Sequence, residues 1–366
     1  MFRKNSGCER YSFIAGVARF HFAKLILPKT EQRFETLSST TDRKSTSGTE
    51  WAVEAIGLTK DYGRKRALNH LDLKIRSNQI LVILGPNGSG KTTFLHLIST
   101  VLKPSDGTAL VMGYDIRKEA LKVRQVSAIS FQDPRGFWRH KPAQILSFHA
   151  SMYGVGGDER KKVVEETLKE FELWDSRNTK FMHLSGGQAK RLEVAKLFVH
   201  KPKLAIFDEP TTMVDLDGKR MIWDKIKELK EENGSTVIVA TNEVREAEYL
   251  ADRITILARG EHLVTDSLEN LKDSVKGGDI VDLEFSLAID QALLRMIEGI
   301  SGTVDFKKIS ENRLRVRVSR SEDWLPVMTD KMHLLSSSNR ITSIKVSEPS
   351  LDDVFLTYTG NDPEKE

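Results

Sequence analysis

An α/β fold is expected for most of this chain: a mostly parallel sheet flanked by helices and interrupted by a helical insertion, then a small C-terminal α+β domain. Three observations predict it. Apolar runs of strand length alternate with helical patterns from residue 51 to about 272, the order that yields parallel strands joined by helical crossovers. The strand signal vanishes between 138 and 180, where DERKKVVEETLKEFELW (158–174) has helical period. Beyond Gly277 and Gly278, VDLEFSL (281–287) and RLRVRVS (313–319) alternate apolar and polar residues, as half-buried strands do.

In chain order, residues 1–50 stand apart. They carry Arg3, Lys4, Arg10, Arg19, Lys24 and Lys29 but a single acid, Glu9, before Glu31. Residues 13–27 have the pattern of a short amphipathic helix, and the Ser/Thr-rich 36–49 read as a flexible linker. A disordered extension, a membrane-surface helix and an organelle-targeting segment all fit this composition. Strands follow at 79–85, 126–131, 203–208 and 236–241, with helices at 91–101 and 219–232. The C-terminal domain is expected over 279–360, with helices at 290–300 and 322–335 and a strand at 341–347; residues 361–366 form a tail.

Composition narrows the function classes. The chain has 366 residues, 39% hydrophobic and 30% charged, with a net charge of +4. Spread over this length, that charge is a solvated surface rather than a nucleic-acid footprint, and no nucleic-acid partner is expected. One cysteine, Cys8, rules out an internal disulfide framework. No apolar run reaches the roughly 20 residues that cross a bilayer, so work at a membrane would need a separate membrane partner.

Three motifs carry the chemistry. GPNGSGKTT (85–93) fits G-x-x-x-x-G-K-[ST] between an apolar strand and a helix. Gly85, Gly88 and Gly90, with Pro86 between them, let the backbone curl so that N–H groups, including those of Asn87 and Ser89, point at phosphate. Lys91 reaches the β- and γ-phosphates, and Thr92, followed by Thr93, offers a hydroxyl to Mg²⁺. LAIFDEP (204–210) is a buried strand ending on two carboxylates. Beside a P-loop, Asp208 suits the metal shell and Glu209 suits a general base that polarises attacking water, although strand-end acids also occur as plain helix caps. LSGGQAKRLEVAK (184–196) adds a second anion-binding helix start, capped by Ser185 and rich in Lys190, Arg191 and Lys196. One nucleotide does not need two phosphate cradles, whereas a two-chain arrangement uses both.

These three pieces, in this order, resemble the ATP-binding subunits of ABC transporters over residues 51 to about 272. The resemblance implies a P-loop NTPase of the ABC-cassette type that binds ATP with Mg²⁺ and hydrolyses it. It also implies that two such units face head to tail, each P-loop completed by Ser185, Gly186, Gly187 and Gln188 of the other. Tyr62 in LTKDYG sits where an aromatic residue stacks on adenine; as a packing tyrosine it would be ordinary. Gln132 in SFQDP resembles the glutamine that senses metal and water, and Asp215 the aspartate of a loop crossing to the opposite subunit. LDDVFLTYTG (351–360), together with 251–272 and 135–154, is similar to daunorubicin-resistance-type ATP-binding proteins. That similarity implies a peripheral subunit on the cytoplasmic face of a membrane, working with a separate transmembrane permease. Phe137 and Trp138 would line the permease docking cleft or else belong to the core of the helical insertion. The rival classes are a soluble regulatory or nucleic-acid-associated ABC ATPase, and a subunit that binds ATP while its partner hydrolyses it.

Two positions depart from the family pattern. Met213 stands in TTMVD where the family usually has glycine, which matters if the backbone there needs a positive φ. Asn242 stands at a strand tip where the family places a histidine against the γ-phosphate. An amide keeps hydrogen bonding but cannot carry charge or relay a proton, so hydrolysis is expected to be slow.

Overall fold

The computed structural model describes residues 50–134, 138–274, 278–334 and 339–359. The readings made for residues 1–49, for Phe137 and Gly277 and for the tail lie outside them. The chain opens with strands β1 (Trp51–Tyr62) and β2 (Lys65–Arg76), then the short buried β3 (Ile80–Leu84) and helix α1 (Lys91–Ile98). Next come β4 (Asp106–Val111), β5 (Tyr114–Asp115), α2 (Ala120–Val126) and β6 (Ser127–Ser130). Helices α3 (Pro142–Met152) and α4 (Gly157–Glu170) occupy the stretch without strand signal, and α5 (Gly186–Ala195) follows. The units β7 (Leu204–Asp208), α6 (Leu216–Asn233), β8 (Thr236–Thr241), α7 (Val244–Leu250), β9 (Arg253–Ala258), β10 (Glu261–Asp266) and α8 (Leu268–Ser274) complete the first part.

Six strands form one sheet in the order β10-β9-β3-β8-β7-β6, parallel except for the β9–β10 hairpin. β3, β7 and β8 are buried along their whole length, which is why their sequences read as continuous apolar runs rather than alternating ones. Helix α6 supports the sheet through Ile222, Trp223, Ile226 and Leu229, spaced on one helical face. Each such burial contributes about 1.5–3 kcal/mol. Gly234, left-handed with φ 63°, ends that helix.

Strand–helix alternation did not foretell the second sheet, β2-β1-β4-β5, which is wholly antiparallel. The β1–β2 ladder has register shifts at Trp51/Val53, Ala55/Leu58, Leu58/Lys60 and Lys60/Asp61. Each bulge flips which residues face inward, so the alternation that marks an exposed strand is scrambled.

The remaining elements are β11 (Asp279–Phe285), α9 (Gln291–Glu298), β12 (Thr303–Lys308), β13 (Arg313–Val318), α10 (Ser321–Leu334), β14 (Ile341–Ser347) and α11 (Leu351–Thr359). The order β12-β13-β11-β14, antiparallel throughout, is a split βαβ (ferredoxin-like) arrangement. Val281, Leu283, Leu314, Val316 and Trp324 share its own core. The final helix does not join that core: Leu351, Val354 and Phe355 of α11 pack into the cluster beneath the six-stranded sheet, with Ala247, Leu250 and Leu271.

Candidate functional site

β3 lies between β8 and β9 and runs into Gly85, where the chain turns through the P-loop into α1. Gly90 has φ 107°, and a Cβ there would lie 2.7 Å from the Ala67 carbonyl and 2.7 Å from a Leu68 methyl; a Cβ on Gly85 would lie 2.3 Å from the Leu257 carbonyl. Both positions therefore need glycine on steric grounds. The loop opens onto a cleft of about 350 Å³ lined by Tyr62, Asn87, Lys91, Thr92, Gln132 and Glu209 among others, including Gly88, Gly90 and Thr93.

Lys91 is buried and donates to the carbonyls of Gly85 at 2.6 Å and Pro86 at 3.1 Å. Burial lowers its pKa, against the opposing pull of Glu209 and Asp208. Thr92 Oγ1 donates to Asp208 Oδ1 at 3.1 Å. The other oxygen, Asp208 Oδ2, is buried without a hydrogen-bond partner. Burial pushes the Asp208 carboxyl up to about 6, only partly offset by Thr92 and by the cations Lys190 and Lys91. An unmatched buried oxygen beside a hydroxyl suits a hard, oxygen-seeking cation. No cluster of three His, Cys, Asp or Glu able to hold a metal exists among the described residues. A cation held through one carboxylate and one hydroxyl, its remaining ligands coming from phosphate and solvent, is the binding mode of Mg²⁺.

Glu209 follows directly, in the left-handed region at φ 45°, with its N–H bonded to the Ala240 carbonyl at the end of β8. Its carboxylate accepts from Gln132 Nε2 at 3.0 Å and from Thr212 Oγ1 at 3.2 Å. Asn242 stands two residues past Ala240, exposed, one strand over from Asp208, and is not among the residues lining the cleft.

Residues 185–188 are not part of this cleft either. Ser185 caps α5 by accepting from the Gln188 N–H at 3.2 Å, while the Gln188 side chain returns to the Ser185 N–H at 3.0 Å and reaches Ser176 Oγ at 2.9 Å. This capping box leaves the exposed amide end of the helix facing outward. The loop after Glu209 lies against it: a Cβ on Gly186 would sit 3.8 Å from Met213 Sδ, and one on Gly187 3.5 Å from the Met213 carbonyl. Met213 has φ 66°, so the backbone does adopt the conformation that favours glycine, and its side chain is 77% exposed. Asp215 is the N-cap of α6 and is exposed.

One expectation is corrected. Lys190, Arg191 and Lys196 do not face an anion at the start of α5. Lys190 points into the core and donates to the carbonyls of Phe131, Gln132 and Asp208, Arg191 pairs with Glu172, and buried Lys196 pairs with Glu193. Helical geometry is the reason: residues 190 and 193 lie on the face that packs inward, not at the amide end. Trp138 is 73% exposed and so is not core of the insertion. Sequence reasoning also passed over Glu246, buried under the Glu209 loop, where it accepts from Thr211 Oγ1 and Trp223 Nε1, both at 2.8 Å. Burial raises its pKa. The one signal for it was an acid at an inward position of α7.

The family model described as ABC transporter matches residues 68–212. The chain is 31% identical to the daunorubicin resistance ATP-binding protein DrrA2 of Streptomyces coeruleorubidus, over 85% of this chain and 96% of that protein. It is 30% identical to the linearmycin resistance ATP-binding protein LnrL of Bacillus subtilis, over 84% and 98% of the two. Among solved structures, a dimeric ATP-binding cassette in a post-hydrolysis state bound to ADP and Pi superimposes with a TM-score of 0.56 at 29% identity, covering 59% of this chain and 98% of that one.

Proposed function

The chain belongs to the ATP-binding proteins of ABC transporters, of the daunorubicin-resistance type, and on that premise we propose that it is the ATPase subunit of an exporter in which Asn242 slows hydrolysis. The observation that carries the reading is the convergence of Lys91, Thr92 and Glu209 on one cleft, with Asp208 at the end of β7 hydrogen-bonded to Thr92. Tyr62 presents an aromatic face for adenine. The glycine-rich loop, the N-terminus of α1 and Lys91 hold the phosphates. Lys91 leaves its loop carbonyls for phosphate oxygens when ATP enters. Thr92 and Asp208, with Gln132 nearby, would hold Mg²⁺, which neutralises charge on the β- and γ-phosphates when bound. Glu209 takes the proton of the attacking water, and the Gln132 amide fixes the direction of its carboxylate.

Ser185, Gly186, Gly187 and Gln188 turn their free helix end outward, and they complete the cleft of a second ATP-binding subunit in a head-to-tail dimer. A relative solved as a dimer with ADP and Pi supports that arrangement. A separate permease would carry the cargo, with this subunit peripheral on the cytoplasmic face; no helix among the described residues is long and apolar enough to cross a membrane. The resistance proteins among its relatives support an export role.

Asn242 stands just past β8, outside the residues that line the cleft; on this reading it reaches the γ-phosphate when ATP is bound and bonds it without adding charge. Losing a charge-stabilising donor costs at most about 3–4 kcal/mol, or ~10²–10³ in rate. Steady-state ATPase of wild type and Asn242→His tests this. The variant is expected to turn over at least about tenfold faster. A brisk wild type with no gain in Asn242→His would end the slow-hydrolysis reading.

A further inference from the structure

Lys190 and Glu193 lie one turn apart on the buried face of α5, at 1% and 2% exposure. Together they grip a short piece of backbone from another element. Lys190 Nζ donates to the Gln132 carbonyl at 2.8 Å, the Phe131 carbonyl at 3.2 Å and the Asp208 carbonyl at 3.4 Å. Glu193 Oε1 accepts the Phe131 N–H at 3.3 Å, and Lys196 holds the other Glu193 oxygen at 2.6 Å. An ammonium has three protons, and three carbonyls surround this one. A buried charge so matched is costly to disturb, because every displaced carbonyl loses its partner. The side chain of the same Gln132 donates to Glu209.

We propose that Lys190, with Glu193, is a positioning pair for hydrolysis: it fixes the Phe131 and Gln132 backbone, and through the Gln132 amide sets the Glu209 carboxylate against the attacking water. The pair also ties this catalytic geometry to the helix that begins at Ser185. Movement of that helix when a second subunit seats on it carries Phe131 and Gln132 along. A displacement of about 1 Å at a reacting group is enough to cost ~10²-fold in rate. The inference rests on the roles given above to Gln132 and Glu209.

A double-mutant cycle on the full-length chain tests it, using Lys190→Met, Gln132→Ala and the double variant, with folding checked by thermal unfolding. Lys190→Met is expected to lower kcat at least about tenfold while KM and the Kd for ATP stay within about twofold. Adding it to Gln132→Ala is expected to change kcat by less than about twofold, since both act through one contact. Should Lys190→Met not fold, Lys190→Gln, which keeps two donors, carries the same cycle. A folded Lys190 variant with unchanged kcat, or losses that multiply in the double variant, overturns the proposal alone. A wild-type chain whose ATPase is absent, or is untouched by Glu209→Gln, overturns the underlying reading and this proposal with it.

Discussion

Two residues in the loop after β7 hold left-handed backbone that side chains disfavour: Glu209 at φ 45° and Met213 at φ 66°. Each such residue costs about 1–3 kcal/mol and persists where the surroundings over-determine it. At Glu209 the surroundings are plain: its N–H is tied to Ala240 and its carboxylate to Gln132 and Thr212. Strain there buys a fixed direction for the carboxylate. At Met213 the side chain is exposed and lies beside Gly186. Met213→Gly is therefore expected to stabilise the chain by about 1 kcal/mol, the relief of a left-handed side chain less the added freedom of glycine in the unfolded state. Urea unfolding reads this directly; a loss of stability would mean that the methionine packs usefully. The identity of Met213 was legible in the sequence as a departure, because a motif fixed the expected residue. The burial of Lys190 was not legible, since LSGGQAKRLEVAK shows three cations and no sign of which face packs inward.

At the scale of elements, α3 meets the chain just after α5 through a cluster of rings. Tyr153 stacks on His200 at 3.6 Å between centroids, and His149 lies 5.4 Å from each. Burial lowers both histidines, His149 to about 3, with further pushes from His200 and Lys196, and His200 to about 4. Their ordinary value is 6.5. Because the folded values are depressed, the unfolded chain binds more protons below 6.5, so this contribution is intact above about pH 6.5 and is lost progressively as pH falls towards 4. The melting temperature is expected to drop between pH 7.5 and 5.5, and the drop is expected to shrink in His149→Phe/His200→Phe. An equal drop in that variant would remove the histidines as its cause. The elements themselves divide by how the sequence shows them. β3, β7 and β8 were readable because full burial makes them apolar throughout and motifs mark their ends. β1 and β2 were not, because bulges shift the inward positions from one residue parity to the other. β12 was missed because TVDFKK has only intermediate and exposed residues.

At the scale of the molecule, the chain closes on itself. After the βαββαβ unit it returns α11 to the six-stranded part, where Leu351, Val354 and Phe355 are fully buried against α7 and α8. The stretch LDDVFLTYTG was legible as a family signature, but its role as packing against the nucleotide-binding part was not, since a three-residue apolar face does not say what it meets. That closure keeps α7, which carries Glu246 beneath the Glu209 loop, backed from below. On the function proposed above, the cleft between the P-loop and the end of β7 binds ATP and hydrolyses it through Glu209. ATP affinity and Mg²⁺-dependent turnover, measured side by side for wild type and Glu209→Gln, test this most directly. The expected result is a Kd for ATP unchanged within about threefold while turnover falls at least ~10²-fold. Turnover that survives Glu209→Gln, or ATP binding that is lost with it, would contradict the account.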